Sequence, residues 1–417
     1  MKPRRVVVTG LGALTPIGNN LEEYWRSLVN GVSGAGPITH FNASKFKTTF
    51  ACEVKNFNVA DFIDRKEFRR LDKFSQYAIV VSDEAIKDSN IETSLINKER
   101  AGVIWGSGIG GMETFFNESA MFGKGDGIPK FNPFFIPKLI SDIPAGHISI
   151  KYGFSGPNFT TVSACASSTN AIIDAYNYIK WNKADFFIAG GSEACIFEPG
   201  IGGFNAMMAL STRNDDPKTA SRPFDKERDG FVMGEGGGAL FIEEYEHAIN
   251  RGADIYAEIV GSGLTADAHH ITAPHPEGKG AENVMRKAVE EAEIKLEKID
   301  YINVHGTSTP LGDIAETKAI CNLFGNHAFK LNISSTKSMT GHLLGAAGVI
   351  EAIACIMSVK NNIVPPTINY KIKDPEINEK LNLTPNKSKK REVNYALSNT
   401  FGFGGHNASL LFKKHQK

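Results

Sequence analysis

Cys165, His305 and His342 are the side chains in this sequence best suited to chemistry: a thiol and two imidazoles, each set among small residues. Cys165 lies in Val162-Ser163-Ala164-Cys165-Ala166-Ser167-Ser168, His305 in Val304-His305-Gly306-Thr307-Ser308-Thr309-Pro310, and His342 in Lys337-Ser338-Met339-Thr340-Gly341-His342. Small neighbours leave room for a thioester to approach, so the set points to thiol catalysis. A thiolate is the better nucleophile, and free backbone N–H groups at a helix start lower a cysteine pKa. The stretch 171–179 predicts such a helix, because apolar positions 172, 175, 176 and 179 recur at helical spacing with neither Gly nor Pro between them. The alternative is a cysteine that merely fills a buried gap.

The elements that must position these residues recur along the chain. The run Arg5 to Thr15 reads as a buried strand ending in a glycine turn at Gly10-Leu11-Gly12, and Ala257 to Thr265 repeats it with Gly261-Ser262-Gly263. Gly102 to Ser107 pairs with Tyr301 to Gly306, Cys165 and its helix with His342 and the helix after it, and Phe186 to Gly191 with Asn394 to Asn399. Repeats in the same order imply a duplicated α/β unit, with buried strands alternating with helices. The halves are expected as residues 1–250, with the nucleophile and a Phe- and Pro-rich insertion near 112–150, and 251–417, with the histidines. All the reactive candidates follow strands, where ligands of α/β folds gather.

Composition excludes several classes. The 417 residues carry 46 basic and 46 acidic side chains, which argues against a body charged for nucleic acid or membrane surfaces. With 41% hydrophobic and 22% charged residues the chain should be globular. Its five cysteines are widely spaced with no CxxC pair, so no disulfide framework and no zinc site is expected, and a reducing cytoplasm fits. Met1 to Arg5 has the charge of a signal peptide, but the apolar run after it is broken by Gly10, Gly12 and Pro16; no stretch reaches the roughly 18 apolar residues of a membrane span. A dinucleotide site at Gly10-Leu11-Gly12 lacks its third glycine, where Thr15 stands. His269, His270 and His275 have no thiol or carboxylate to complete a metal set.

Five motifs in order along essentially the whole chain resemble the condensing enzymes of the thiolase superfamily, specifically the elongating β-ketoacyl carrier-protein synthases of type II fatty-acid synthesis. They are Ser163-Ala164-Cys165-Ala166-Ser167, Arg222-Pro223-Phe224-Asp225 with Asp229 to Gly236, His305 to Asp313, Lys337 to His342, and Asn399-Thr400-Phe401-Gly402-Phe403-Gly404-Gly405. The resemblance implies a thiolase-like α/β fold, duplicated halves with sheets sandwiched between helix layers, and a homodimer. It implies an acyltransferase with Cys165 as nucleophile, the Cys165 and Phe403 amides as oxyanion donors, and His305 and His342 stabilising an enolate. The histidine pair separates it from initiating synthases, which carry His and Asn.

The resemblance further implies that Lys337 orders the site electrostatically, that Glu351 supports the histidines, and that Phe403 gates entry. Ile109 and Phe204 would bound the acyl pocket, and Thr272, Thr307 and Thr309 would line the path of a pantetheine arm. Lys66, Arg69 and Arg70, spaced to share a helix face, would grip an acidic acyl carrier protein, with Lys130 extending the patch. Position 208, basic in that family, is Met208 here. No cofactor is implied, since the phosphopantetheine arm arrives on the carrier. The expected reaction is decarboxylative Claisen condensation with malonyl carrier. The alternatives are a ketosynthase of a polyene or polyketide pathway and a non-catalytic chain-length partner subunit, against which Cys165 argues.

Overall fold

The computed structural model describes residues 3–416. Its main sheet is built from β1 (Val6–Leu14), β2 (Ala101–Gly106), β3 (Asn158–Thr161), β4 (Phe186–Glu193), β5 (Gly236–Glu244), β6 (Ala257–Ala266), β7 (Tyr301–Asn303), β8 (Asn332–Ser334), β9 (Tyr395–Gly402) and β10 (His406–Lys413). The order across it is β8-β7-β9-β10-β6-β1-β5-β4-β2-β3. Read outward from the centre, β1-β5-β4-β2-β3 and β6-β10-β9-β7-β8 are the same arrangement used twice. In each half the two inner pairings are antiparallel and the two outer ones parallel. The sequence repeats therefore fall on equivalent strands. They are not in separate sheets, however: antiparallel pairing of Val6 with Ile259, Val7 with Glu258 and Val8 with Ala257 joins the halves.

The helices that matter to the site are α1 (Arg65–Phe68), α2 (Lys73–Asp88), α3 (Met112–Lys124), α4 (Phe135–Leu139), α5 (Ile143–Tyr152), α6 (Ser167–Lys180), α7 (Lys279–Glu291), α8 (Pro310–Phe324), α9 (Lys337–Thr340) and α10 (Ala347–Asn361). Ile172 and Ile173 of α6 and Ile353 and Ile356 of α10 share one core with Leu240 and Ile242 of the first half and Leu410 and Phe412 of the second. These two helices are thus the central layer. The intervening residues of the same strands face outward: Phe241 packs with Tyr77 and Val81 of α2, and Leu411 with Val284 and Ala288 of α7. Strands covered on both faces need apolar residues at every position, hence continuous runs such as Val6-Val7-Val8.

The glycine pairs of β1 and β6 are not turns, as the sequence suggested, but lie within strands. A Cβ on Gly10 or Gly12 would sit 2.1 or 2.0 Å from the Ala85 or Val81 carbonyl oxygen of α2, and one on Gly261 or Gly263 2.0 or 2.1 Å from Ala288 or Val284 oxygen of α7. Each pair seats an outer helix directly on its strand. Among the described residues one window, Leu344–Asn361, is long and apolar enough to cross a membrane, with mean hydropathy 1.4, contrary to expectation. It is 83% buried, because α10 must meet both half-sheets.

Candidate active site

Cys165 sits at the elbow between β3 and α6, buried with 8% of its surface exposed. Ala164 before it adopts φ +51°, a conformation costly for a residue with a Cβ. The turn is held locally: the Ser163 amide donates to Ser167 Oγ at 3.0 Å, and Ser167 Oγ donates to Ala164 O at 2.7 Å. It also consumes the amides expected to activate the thiol, since Ala166 N donates to Ser163 O and Ser167 N to Ala164 O. Burial accordingly pushes the Cys165 thiol up to about 12, with the Lys337 charge and the Phe403 amide pulling the other way. The expected lowering of the thiol by the helix start is thus outweighed by burial.

His342 Nε2 lies 3.0 Å from Cys165 Sγ. The residue is fixed by its own amide, which donates to Val232 O at 2.7 Å, and by the edge of the Phe231 ring, 5.3 Å between centroids. His305 follows β7, its ring 5.4 Å from that of His342 and nearly perpendicular to it. Glu316 of α8 holds the His305 segment, its carboxylate accepting from the His305 and Gly306 amides at 2.9 Å each. Both imidazoles are held well below the ordinary histidine range, first by burial and then by the Lys337 ammonium. Both are therefore neutral imidazoles near pH 7.

Lys337 opens α9 and pairs with Glu351 of α10, both buried. Burial pushes the Glu351 carboxyl up to about 7 against the pull of that ammonium. Glu351 is therefore no solvated helix residue; losing either partner would leave a buried charge uncompensated, at a cost of about 3–5 kcal/mol. Two further acids went unnoticed in the sequence. Glu193, the last residue of β4, accepts from Ser107 Oγ and from the amides of Gly108, Ile109, Gly110 and Gly345 at 2.7–3.2 Å. Glu316 is the other, pushed to about 7 by burial. Each stands directly beside apolar or small residues, the signal by which the sequence could have found it.

A cavity of about 700 Å³ joins Cys165, His305, His342 and Phe403. Ile109 and Phe204 line it and belong to one apolar cluster with Phe231 and Leu344. Thr272, Thr307 and Thr309 line it as well, the last two with their hydroxyls 3.0 Å apart. Phe403 stands at the tip of the β9–β10 hairpin, where Gly404 and Gly405 take φ +88° and +76°. A Cβ on Gly402 would lie 2.7 Å from Ser163 O and 3.2 Å from Cys165 N, so the hairpin abuts Cys165. Lys66, Arg69, Arg70 and Lys130 are exposed, and none lines the cavity. The expected basic helix face shrinks to the single turn α1, which Arg69 caps; Arg70 lies beyond it, its guanidinium 5.0 Å from the Phe134 ring. Met208, exposed with φ +54°, stands at the cavity wall.

Residues 3–248 match the family model for the β-ketoacyl synthase N-terminal domain, and 256–371 that for its C-terminal domain. The chain is 49% identical over 416 residues to 3-oxoacyl-(acyl-carrier-protein) synthase 2 of Synechocystis sp., covering 100% of this chain and 99% of that one. It is 51% identical over 414 residues to the Staphylococcus aureus protein of the same name, covering 99% of each. Among solved structures, a β-ketoacyl synthase from Burkholderia phymatum superposes with TM-score 0.91 at 35% identity, over 99% of this chain and 100% of that one. A type II PKS ketosynthase in complex with its acyl-carrier protein superposes with TM-score 0.89 at 33% identity, over the same shares. With a thiol and two histidines lining one cavity of a twofold-repeated α/β sheet, and both family models matched in order along the chain, the chain belongs to the β-ketoacyl synthase family.

Proposed function

We propose that the protein is a 3-oxoacyl carrier-protein synthase that elongates fatty acids by condensing an enzyme-bound acyl group with malonyl carrier. One observation carries this: Cys165 Sγ faces two neutral imidazoles, rather than a single histidine, at the head of an apolar cavity. The full-length identity of 49–51% to 3-oxoacyl-(acyl-carrier-protein) synthase 2 proteins, against 31–35% to solved ketosynthases including polyketide ones, favours fatty-acid elongation over a polyketide pathway.

In the first half-reaction Sγ attacks the acyl thioester and its proton passes to the departing pantetheine thiolate, while the His342 Nε2–H, 3.0 Å away, donates to the developing charge on the sulfur. The oxyanion is held by the Cys165 and Phe403 amides, worth about 3 kcal/mol each. In the second, the malonyl C–C bond breaks, CO2 leaves, and the electron pair forms an enolate whose oxygen takes hydrogen bonds from His305 and His342. The enolate carbon bonds the acyl carbonyl carbon and expels the Cys165 thiolate, which takes one proton from the medium. Burial, with the Lys337 ammonium second, holds the histidines neutral, and Glu351 balances Lys337. The chemistry comes from these side chains; the phosphopantetheine arm belongs to the substrate. Phe403 gates the cavity, and Lys66, Arg69, Arg70 and Lys130 receive the carrier. The division at residues 250 and 251 follows the two half-sheets.

A homodimer is supported by an asymmetry between the sheet's edges. At the β8 edge Ile333 N donates to Asn382 O, so the chain covers its own strand. The equivalent β3 edge is flanked by Val162, 62% exposed, with Phe115, Phe122 and Phe131 exposed in the insertion. A second copy adding its β3 antiparallel would satisfy that edge. The cysteines are all free, which supports a reducing cytoplasm, testable by cell fractionation. The function itself is tested by peptide mass spectrometry after incubation with a panel of acyl carriers: an acyl group on Cys165, discharged by malonyl carrier, is expected, and an acyl group on any other residue overturns the assignment.

A further inference from the structure

Among the described residues, the only cluster of three or more His, Cys, Asp or Glu ligand atoms within metal-binding reach is Cys165, His305 and His342, whose donor atoms all lie within 4.8 Å of one another. The Sγ–Nε2 pair is at 3.0 Å. A tetrahedral zinc ion bound by one thiolate and two imidazoles sets its ligand atoms about 3.4–3.6 Å apart, inside the span found here. The donor set, one sulfur and two nitrogens, is that of a borderline-soft cation, and the fourth position would open onto the cavity. We propose that the unacylated enzyme binds Zn2+ through Cys165 Sγ and one ring nitrogen each of His305 and His342, with water in the fourth position, and that the bound ion blocks acyl loading.

Binding replaces the thiol proton: Zn2+ bonds sulfur, one proton is released to solvent, and no electron is transferred. The Lys337 ammonium, which depresses both imidazoles, opposes a dication at the sulfur, and the buried carboxyls of Glu193 and Glu351 act against it. The site is suited to a reversible inhibitor rather than a resident ion. Metal-binding histidines ordinarily anchor their second nitrogen on a carboxylate or carbonyl, and His305 Nδ1 and His342 Nδ1 are buried without such a partner. Acylation converts the thiolate ligand into a thioester sulfur, a far poorer donor, so the acyl-enzyme should resist the metal. The enzyme would then be sensitive only between turnovers.

The inhibitory half rests on Cys165 being the nucleophile; the binding half does not, and the two are read separately. Binding is measured with Co2+ as a spectroscopic substitute on the full chain. A thiolate-to-cobalt charge-transfer band is expected in the free enzyme, displaced by Zn2+ and removed by chelator. It should be absent in enzyme alkylated at Cys165 by iodoacetamide, in Cys165→Ser, and in enzyme preloaded with an acyl group. His269→Ala and His275→Ala should retain it; their rings are 5.1 Å apart and are the competing site. A band that survives alkylation, or is lost in the His269 and His275 variants, overturns the site. Inhibition is measured as acyl loading: Zn2+ should lower the loading rate at least tenfold, restored by chelator. A cobalt band without loss of loading overturns the inhibitory half and counts against Cys165 as nucleophile.

Discussion

Three side chains divide the chemistry unequally. His342 Nε2 lies 3.0 Å from the sulfur whereas a His305 ring nitrogen comes only within 4.8 Å of it, that ring packing on those of His342 and Phe401, so their losses should differ by half-reaction. His305→Ala should cut malonyl decarboxylation by about 10²–10³-fold, the scale of one lost oxyanion donor, while acyl transfer to Cys165 is largely kept. His342→Ala should lose both. Radiolabelled CO2 release and acyl-enzyme formation, measured separately, check this; unimpaired malonyl turnover in both variants would sink the two-histidine mechanism. That these three side chains would converge was legible because each is an isolated chemical residue among small ones. What could not be read was the state of the thiol: the helix start after Cys165 was correct, but the turn at Ala164 spends its amides on local carbonyls and burial outweighs the rest.

At the scale of elements, glycine carried two meanings that sequence alone does not separate. Gly10 and Gly12 look like a turn but are packing contacts with α2, whereas Gly404 and Gly405 are a true hairpin turn. The difference lies in which helix arrives from elsewhere in the chain. The Gly106 to Gly111 loop after β2 shows the same dependence, since its shape is set by Glu193, more than eighty residues away, through the Gly108, Ile109 and Gly110 amides. That carboxylate fixes Ile109 against Phe204 and Phe231 in the cavity wall. Ile109→Phe should therefore overfill a rigid wall, at a strain of about 1–3 kcal/mol. Long acyl primers should be rejected by roughly tenfold or more while short ones still load Cys165; an unchanged acyl-length profile would remove Ile109 from the pocket.

Viewed as a whole, the molecule separates its catalytic cavity from two surfaces, and each should respond to its own substitutions. Lys66→Glu with Arg69→Glu should raise KM for carrier-bound substrate several-fold and leave a short pantetheine thioester nearly untouched, because both residues are exposed and outside the cavity. Val162→Arg, at the uncovered sheet edge, should instead shift sedimentation from dimer to monomer; a dimer that persists would place the interface elsewhere. The duplicated fold was legible because both halves repeat the same buried strands in the same order, but the joining of β1 to β6 into one sheet was not, since three paired residues leave no signature of their own. Both surfaces serve one central claim, that Cys165 carries the acyl group while the histidines and their lysine act on malonyl carrier. Cys165→Gln tests it most directly, because an amide there occupies the place of the acyl-enzyme but cannot accept an acyl chain. CO2 release from malonyl carrier should continue with no 3-oxoacyl product formed. A variant that still condenses acyl and malonyl carriers, or that ceases to release CO2 while remaining folded, would contradict the account.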